Sequence, residues 1–144
     1  MASASPSSLS EFHASLLEFL MTAKQGLMNA AREYDLTVIQ SMTIILVDLQ
    51  KPKAMKDFQK IYACDASNVT GIVDGLEEKG LVVRGEDPHD RRVKTVLLTT
   101  EGQKIQQLLI NGFRQVDNKI LSSLSVDELA LFQKIMIKLS TRIY

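Results

Sequence analysis

The spacing of apolar residues changes at Gly80 and changes back at Thr99, and this interruption constrains the fold more than any other feature of the chain. Up to Leu76 the apolar residues recur three and four apart, as on one face of an α-helix. Leu81-Val82-Val83-Arg84 and Val93-Lys94-Thr95-Val96-Leu97-Leu98 are instead β-branched-rich runs, flanking the polar segment Gly85-Glu86-Asp87-Pro88-His89-Asp90-Arg91-Arg92. After Thr99 the helical spacing resumes. The pattern predicts a mainly α chain with a small β-hairpin, made of two short antiparallel strands.

Six helices follow from the stripes and their start signals. A capping box at Ser8-Leu9-Ser10-Glu11 opens the first, which carries Leu9, Phe12, Leu16, Leu20, Leu27 and Ala31 along one face to about Tyr34. Thr37-Val38-Ile39-Gln40 is a second box, and the stripe Val38, Met42, Ile45, Leu46 and Leu49 runs on until Pro52, which lacks an N–H and clashes with the preceding turn. Met55, Phe58, Ile61 and Tyr62 give a third helix of about two turns. Asp65 can cap the fourth, whose inner face is Val69, Ile72, Val73 and Leu76 and whose stop is Gly80. Thr99 can cap the fifth, lined by Ile105, Leu108, Leu109, Phe113, Val116 and Ile120. The sixth starts at the box Ser125-Val126-Asp127-Glu128, with Leu124 and Leu129 as a hydrophobic staple and Leu129, Phe132, Met136, Leu139 and Ile143 along its buried side.

A chain of 144 residues is one domain's length. With 45% apolar and 24% charged residues it has enough apolar surface to fold, so disorder is expected only in the small polar tail, residues 1–8. No window approaches about eighteen consecutive apolar residues, and the N-terminus lacks a basic segment followed by an apolar run, which predicts a cytoplasmic protein without membrane contact. The single Cys64 allows no internal disulfide, and with two separated histidines it does not compose a zinc site. No metal or cofactor is expected. The chain has no Gly-rich phosphate loop, no nucleophile elbow and no acid–base pair, so an enzyme is not expected either.

Two helices joined by a tight turn at Ala63-Cys64 and followed by a hairpin are the parts of a winged helix-turn-helix. In that arrangement the helix after Asp65 is the reading element, and its apolar set leaves Ser67, Asn68, Thr70, Gly71 and Asp74 facing away from the core. Hydroxyl and amide groups can exchange hydrogen bonds with base edges in a major groove, while unpaired N–H groups at a helix start can hold a phosphate. Asn68 is the first candidate for a base contact, with Ser67, Thr70 and Gly71 beside it; local capping is the competing reading for the polar members. Gly71 and Gly75 each cost the helix roughly 1 kcal/mol relative to alanine, which implies a compensating close approach of DNA or of a neighbouring element. On the hairpin, Arg92 and then Arg91 are candidates for a narrow minor groove, with Asp90 orienting the guanidinium; the alternative is a solvated loop. Lys53 and Lys56, with Lys51 and Lys60 nearby, are weaker candidates for phosphate contact. A formal net charge of zero counts against nucleic-acid binding, so the case rests on where the charges lie.

Lys79-Gly80-Leu81-Val82-Val83-Arg84, Asp87-Pro88-His89-Asp90-Arg91-Arg92 and Leu97-Leu98-Thr99-Thr100-Glu101-Gly102 resemble the wing signature of the MarR family of regulators. Gly71-Ile72-Val73-Asp74-Gly75-Leu76-Glu77-Glu78-Lys79-Gly80 resembles that family's recognition helix and Asp35-Leu36-Thr37 its helix-two entry, so the similarity runs over about residues 9 to 143. The resemblance implies a winged helix-turn-helix core, residues 35–100, inside a single domain of residues 9–144. Residues 9–34 and 101–144 would then be N- and C-terminal dimerisation helices that interlock with those of a second copy. It further implies a sequence-specific regulator of transcription, a repressor that binds double-stranded DNA as a homodimer at a pseudo-palindromic operator. Relatives often answer to small aromatic or phenolic effectors, or to oxidants through a cysteine in the first helix, where residues 9–34 have none. Many relatives carry a basic residue where Gly71 and Gly75 stand. A winged-helix protein-interaction module without DNA binding is the competing function, and the zero net charge and the two glycines are its support.

Overall fold

The computed structural model describes residues 6–47 and 51–143, without the side chains of residues 6–8, 116, 117 and 141–143. Of the sequence expectations, residues 1–5 of the tail and Leu49 lie outside the described residues, as do the side chains of Val116 and Ile143. The elements in chain order are α1 (Pro6–Glu33), α2 (Val38–Leu46), β1 (Lys53–Ala54), α3 (Met55–Tyr62), α4 (Ala66–Glu78), β2 (Val82–Glu86), β3 (Lys94–Leu98), α5 (Thr100–Leu121) and α6 (Val126–Ile143).

Four of the five start signals act as their chemistry dictates. Thr37 accepts from the Gln40 N–H at 3.2 Å and its own N–H donates to the Gln40 side chain at 3.0 Å, closing the α2 box. Ser125 and Glu128 close the α6 box in the same way, at 2.8 and 3.3 Å. Asp65 accepts from the Asn68 N–H at 2.9 Å and Thr99 from the Gly102 N–H at 3.0 Å, starting α4 and α5. α1 begins at Pro6 rather than after Ser8, so the expected tail is helical from Pro6 to Ser8. Proline's fixed φ suits the first helical position, where no N–H is needed.

A second correction concerns the sheet, which has three strands in the order β1-β3-β2, all antiparallel, where two were expected. Lys53 and Ala54 pair with Val96 and Thr95. Two residues are too few to show a period of two, so only the pairing itself reveals β1.

The core gathers Ile44 and Val47 from α2, Phe58 from α3, Val69, Val73 and Leu76 from α4, Leu81, Val82 and Val96 from the wing, and Leu109 from α5. It sits under α4. Buried Gln106 of α5 donates from its amide to the carbonyls of Ile44 at 2.7 Å and Val47 at 2.8 Å, holding the end of α2 against the long helix. By contrast the outer stripes of α1 and α6 are left open within one chain: Phe12 is 59% exposed and Leu139 52%. The face of α6 expected to be buried is therefore not buried by this chain alone.

The wing is rooted at one point. Gly80 takes φ +69°, a left-handed turn that glycine enters without a Cβ penalty, and Leu81 N–H returns to the Leu76 carbonyl at 3.0 Å. From the other end of the hairpin, Thr99 donates its N–H to the Leu81 carbonyl at 3.1 Å and its hydroxyl to the Gly80 carbonyl at 2.7 Å. Gly102 lies so close that a Cβ there would stand 1.9 Å from the Leu81 carbonyl oxygen. Gly102→Ala must push α5 away from the wing root, and overpacking of this kind costs about 1–3 kcal/mol. Thermal or urea unfolding checks this, with an unchanged midpoint as the contrary result.

Candidate nucleic-acid interface

The turn between α3 and α4 depends on Ala63, which takes φ 48° and closes α3 with its N–H on the Lys60 carbonyl while Cys64 N–H reaches that of Gln59. Cys64 itself is half-buried, packed on the core. This turn aims α4 so that Val69, Val73 and Leu76 are buried and Ser67, Asn68, Thr70, Gly71 and Asp74 are exposed, as the stripe predicts.

The polar groups at the start of α4 are not equivalent. Ser67 donates its hydroxyl to Asp65 at 2.7 Å and Thr70 to the Ala66 carbonyl at 2.9 Å, so both hydroxyl protons are used locally and only lone pairs face outward. The Asn68 side chain has no hydrogen-bond partner among the described residues. Asp65 has its carboxyl held below the usual aspartate range, first by the Asn68 N–H and then by the Ser67 hydroxyl. The two glycines separate. A Cβ on Gly75 would lie 2.7 Å from the Gln40 amide nitrogen, so Gly75 makes room for the side chain that caps α2. A Cβ on Gly71 would meet nothing within 4 Å, so nothing in the chain requires glycine there.

The hairpin tip is organised by two aspartates. Asp87 accepts from the N–H groups of His89 at 2.8 Å and Asp90 at 3.2 Å, and its own N–H donates to the Val93 carbonyl at 3.0 Å. Asp90 then takes the Arg92 guanidinium with both oxygens, Nε at 3.0 Å and Nη2 at 3.1 Å, and also accepts the Arg92 N–H. The Arg92 side chain nevertheless remains 91% exposed, a cation held in place but open to solvent. Asp90 thus has the orienting geometry expected of it. Arg91 is exposed and makes no ion pair among the described residues.

Lys56 on α3 is exposed and adds to the field that lowers the Asp90 carboxyl, after the hydrogen bonds from the Arg92 side chain and backbone. It lines, with Met55, Gln59, Ala66, Thr70, Arg92, Val93 and Lys94, an open groove of about 310 Å³ between α3, the start of α4 and the wing. Lys53 is drawn instead into β1, half-buried and opposite Val96, apart from the groove lining.

Sequence reasoning treated Arg84 only as a strand residue, and the structure gives it a larger part. Its guanidinium bridges Asp74, at 2.5 Å, and Glu77, while reaching the Thr70 carbonyl at 3.4 Å; Glu77 also accepts the Arg84 N–H at 2.9 Å. Asp74 and Glu77 are thereby partly compensated, and α4 is tied to β2. The i, i+3 spacing of Asp74 and Glu77 was the only available signal, and it does not say which cation answers it.

A helix-turn-helix followed by a stapled wing defines a winged helix-turn-helix protein. The sequence model of the MarR family matches residues 36–94 of the chain. It is 36% identical over 81 residues to the uncharacterised regulator YsmB of Bacillus subtilis, and 32% over 93 residues to the transcriptional repressor NicR of Pseudomonas putida. These matches cover 56% and 65% of this chain, and 54% and 59% of the two relatives, so the chain matches just over half their length. A MarR family protein of Bacillus stearothermophilus shares the fold, with a TM-score of 0.80 at 21% identity over 98% of this chain and 99% of that one. Among the described residues no helix is long and apolar enough to cross a membrane.

A carboxyl held below its usual pKa stabilises its contacts above the ordinary aspartate range and loses them as pH falls through the lowered value. The Asp90–Arg92 fork should therefore persist through neutral and mildly acidic pH and open only in strong acid. A proton NMR titration following the Arg92 Nε–H checks this; release near pH 5 would contradict it.

Proposed function

We propose that this chain is a sequence-specific, DNA-binding regulator of transcription that acts as a homodimer and represses by occupying a pseudo-palindromic operator. One observation carries the reading: an exposed polar helix start and an oriented, solvent-facing arginine flank the same cation-lined groove. A helix of this kind fits a major groove, the wing arginines an adjacent minor groove, and the groove cations the phosphates between. In this reading Asn68 contacts a base with Ser67, Thr70 and Gly71 beside it, Arg92 and Arg91 enter the minor groove, and Lys56 meets phosphate, with Lys53 a weaker contributor. NicR, named a transcriptional repressor, supports the regulatory class. Such a protein works in the cytoplasm, where the chromosome lies in bacteria.

The exposed apolar faces of α1 and α6 support the homodimer, since so much open apolar surface marks an association site. Residues 9–34 and 101–144 supply those helices and residues 35–100 the reading head. Two heads related by a two-fold axis would meet half-sites about 10 bp apart. An apolar cavity of about 180 Å³, lined by Leu27, Met42, Ile45, Leu46 and Phe113, lies where dimer helices meet head and suits a small aromatic effector. Its occupant would release DNA only by favouring another head spacing.

Fluorescence anisotropy on genomic duplex fragments across a salt series tests the reading. Affinity should fall steeply with salt, and Arg92→Ala should weaken binding and lower the slope by about one. Salt-insensitive or absent binding would favour the protein-interaction module. Sedimentation velocity should find a dimer that Leu17→Lys with Ile137→Lys dissociates, both wild-type residues being 58% exposed in one chain; a monomeric wild type would refute the assembly.

A further inference from the structure

Resting on the DNA-binding reading above, we propose that the base pairs beneath the start of α4 in each half-site are A·T pairs. The surface that would meet them offers acceptors, methyl groups and one amide, with no free cationic donor.

Residues 66–78 contain no arginine, lysine or histidine, and Lys79, just beyond the helix, is paired with Asp35 at 2.9 Å. The hydroxyl protons of Ser67 and Thr70 are already donated to Asp65 and to the Ala66 carbonyl. Asp74 and Glu77 are occupied by Arg84, and Gly71 contributes no side chain. What remains free is the Asn68 amide, the outward lone pairs of two hydroxyls, and the methyl groups of Ala66 and Thr70.

Guanine shows two acceptors, N7 and O6, in the major groove and is read by two donors from arginine or lysine. This face cannot supply them. Cytosine N4 could donate to a hydroxyl lone pair, but its guanine partner would be left with both acceptors desolvated and unanswered. Adenine pairs an acceptor, N7, with a donor, N6–H, which the Asn68 amide matches with one N–H and one carbonyl oxygen. Thymine adds a methyl group, and the methyls of Ala66 and Thr70 are apolar partners for it. The nearby cations Lys56, Arg92 and Lys94 stand on α3 and the wing, where they neutralise phosphates or enter the minor groove.

Repeated selection from randomised duplexes with the purified full chain tests this, using wild type, Asn68→Ala and Gly71→Arg. Both variants should fold, since Asn68 uses only its backbone N–H in the cap and a side chain at 71 enters open space; thermal melting verifies it. The positions beneath α4 are identified as those whose preference either variant changes. Wild type should select A or T there, with a G·C pair weakening binding about ten-fold or more. Asn68→Ala should relax one adenine, and Gly71→Arg should acquire a guanine. A wild-type motif demanding G or C at those positions, or a motif that neither variant alters, overturns the inference while leaving DNA binding intact. No enrichment and no salt-sensitive binding by wild type would overturn the DNA-binding reading itself, and the inference with it.

Discussion

The carbonyl of Leu81 is the point on which the reading head depends. It accepts the Thr99 N–H, stands against Gly102 too closely for any side chain, and belongs to the residue whose own N–H ends α4. Four backbones meet there: the end of α4, the start of β2, the end of β3 and the start of α5. Since a packed interior is not continuously deformable, these elements move as one body or not at all. Any change in the long α5 helix is thereby delivered to both the reading helix and the wing.

Two further ties stiffen the same body. Arg84 holds β2 to the acidic half of α4, and Gln106 holds the end of α2 to α5. Neither is a surface ion pair of the weak kind in isolation: the first joins three charged side chains and a backbone carbonyl, and the second is a buried amide on two backbone carbonyls. The Arg84 network also bears on the objection raised by zero net charge. Asp74 and Glu77, which would repel a phosphate backbone, are partly offset by Arg84, while Arg92 and Lys56 stand open beside the groove. Placement of charge, rather than its sum, makes the surface suitable for an anionic partner.

Features set by neighbours in sequence were the legible ones. The caps at Thr37, Asp65, Thr99 and Ser125, the loop bond from Arg92 to Asp90, and the exposed start of α4 all follow from residues within one turn of each other. Where two distant segments decide the outcome, the sequence was silent: β1 exists because β3 passes beside it, Gly75 is small because Gln40 lies across from it, and Arg84 matters because α4 turns two acids toward it. At the first helix the start signal at Ser8 misplaces the boundary, which lies at Pro6. The apolar stripes of α1 and α6 are legible in the sequence, and their length argues for a second copy to cover them; within one chain they stay open.

The central claim is that the start of α4 and the hairpin tip together form the surface that meets duplex DNA. Amide NMR spectra recorded as a duplex is added test it most directly, because each backbone N–H reports its own surroundings. The account predicts that the largest shifts fall within residues 65–71 and 87–93, with smaller ones at Lys56. Shifts confined to the outer faces of α1 and α6, with those segments unmoved, would contradict it.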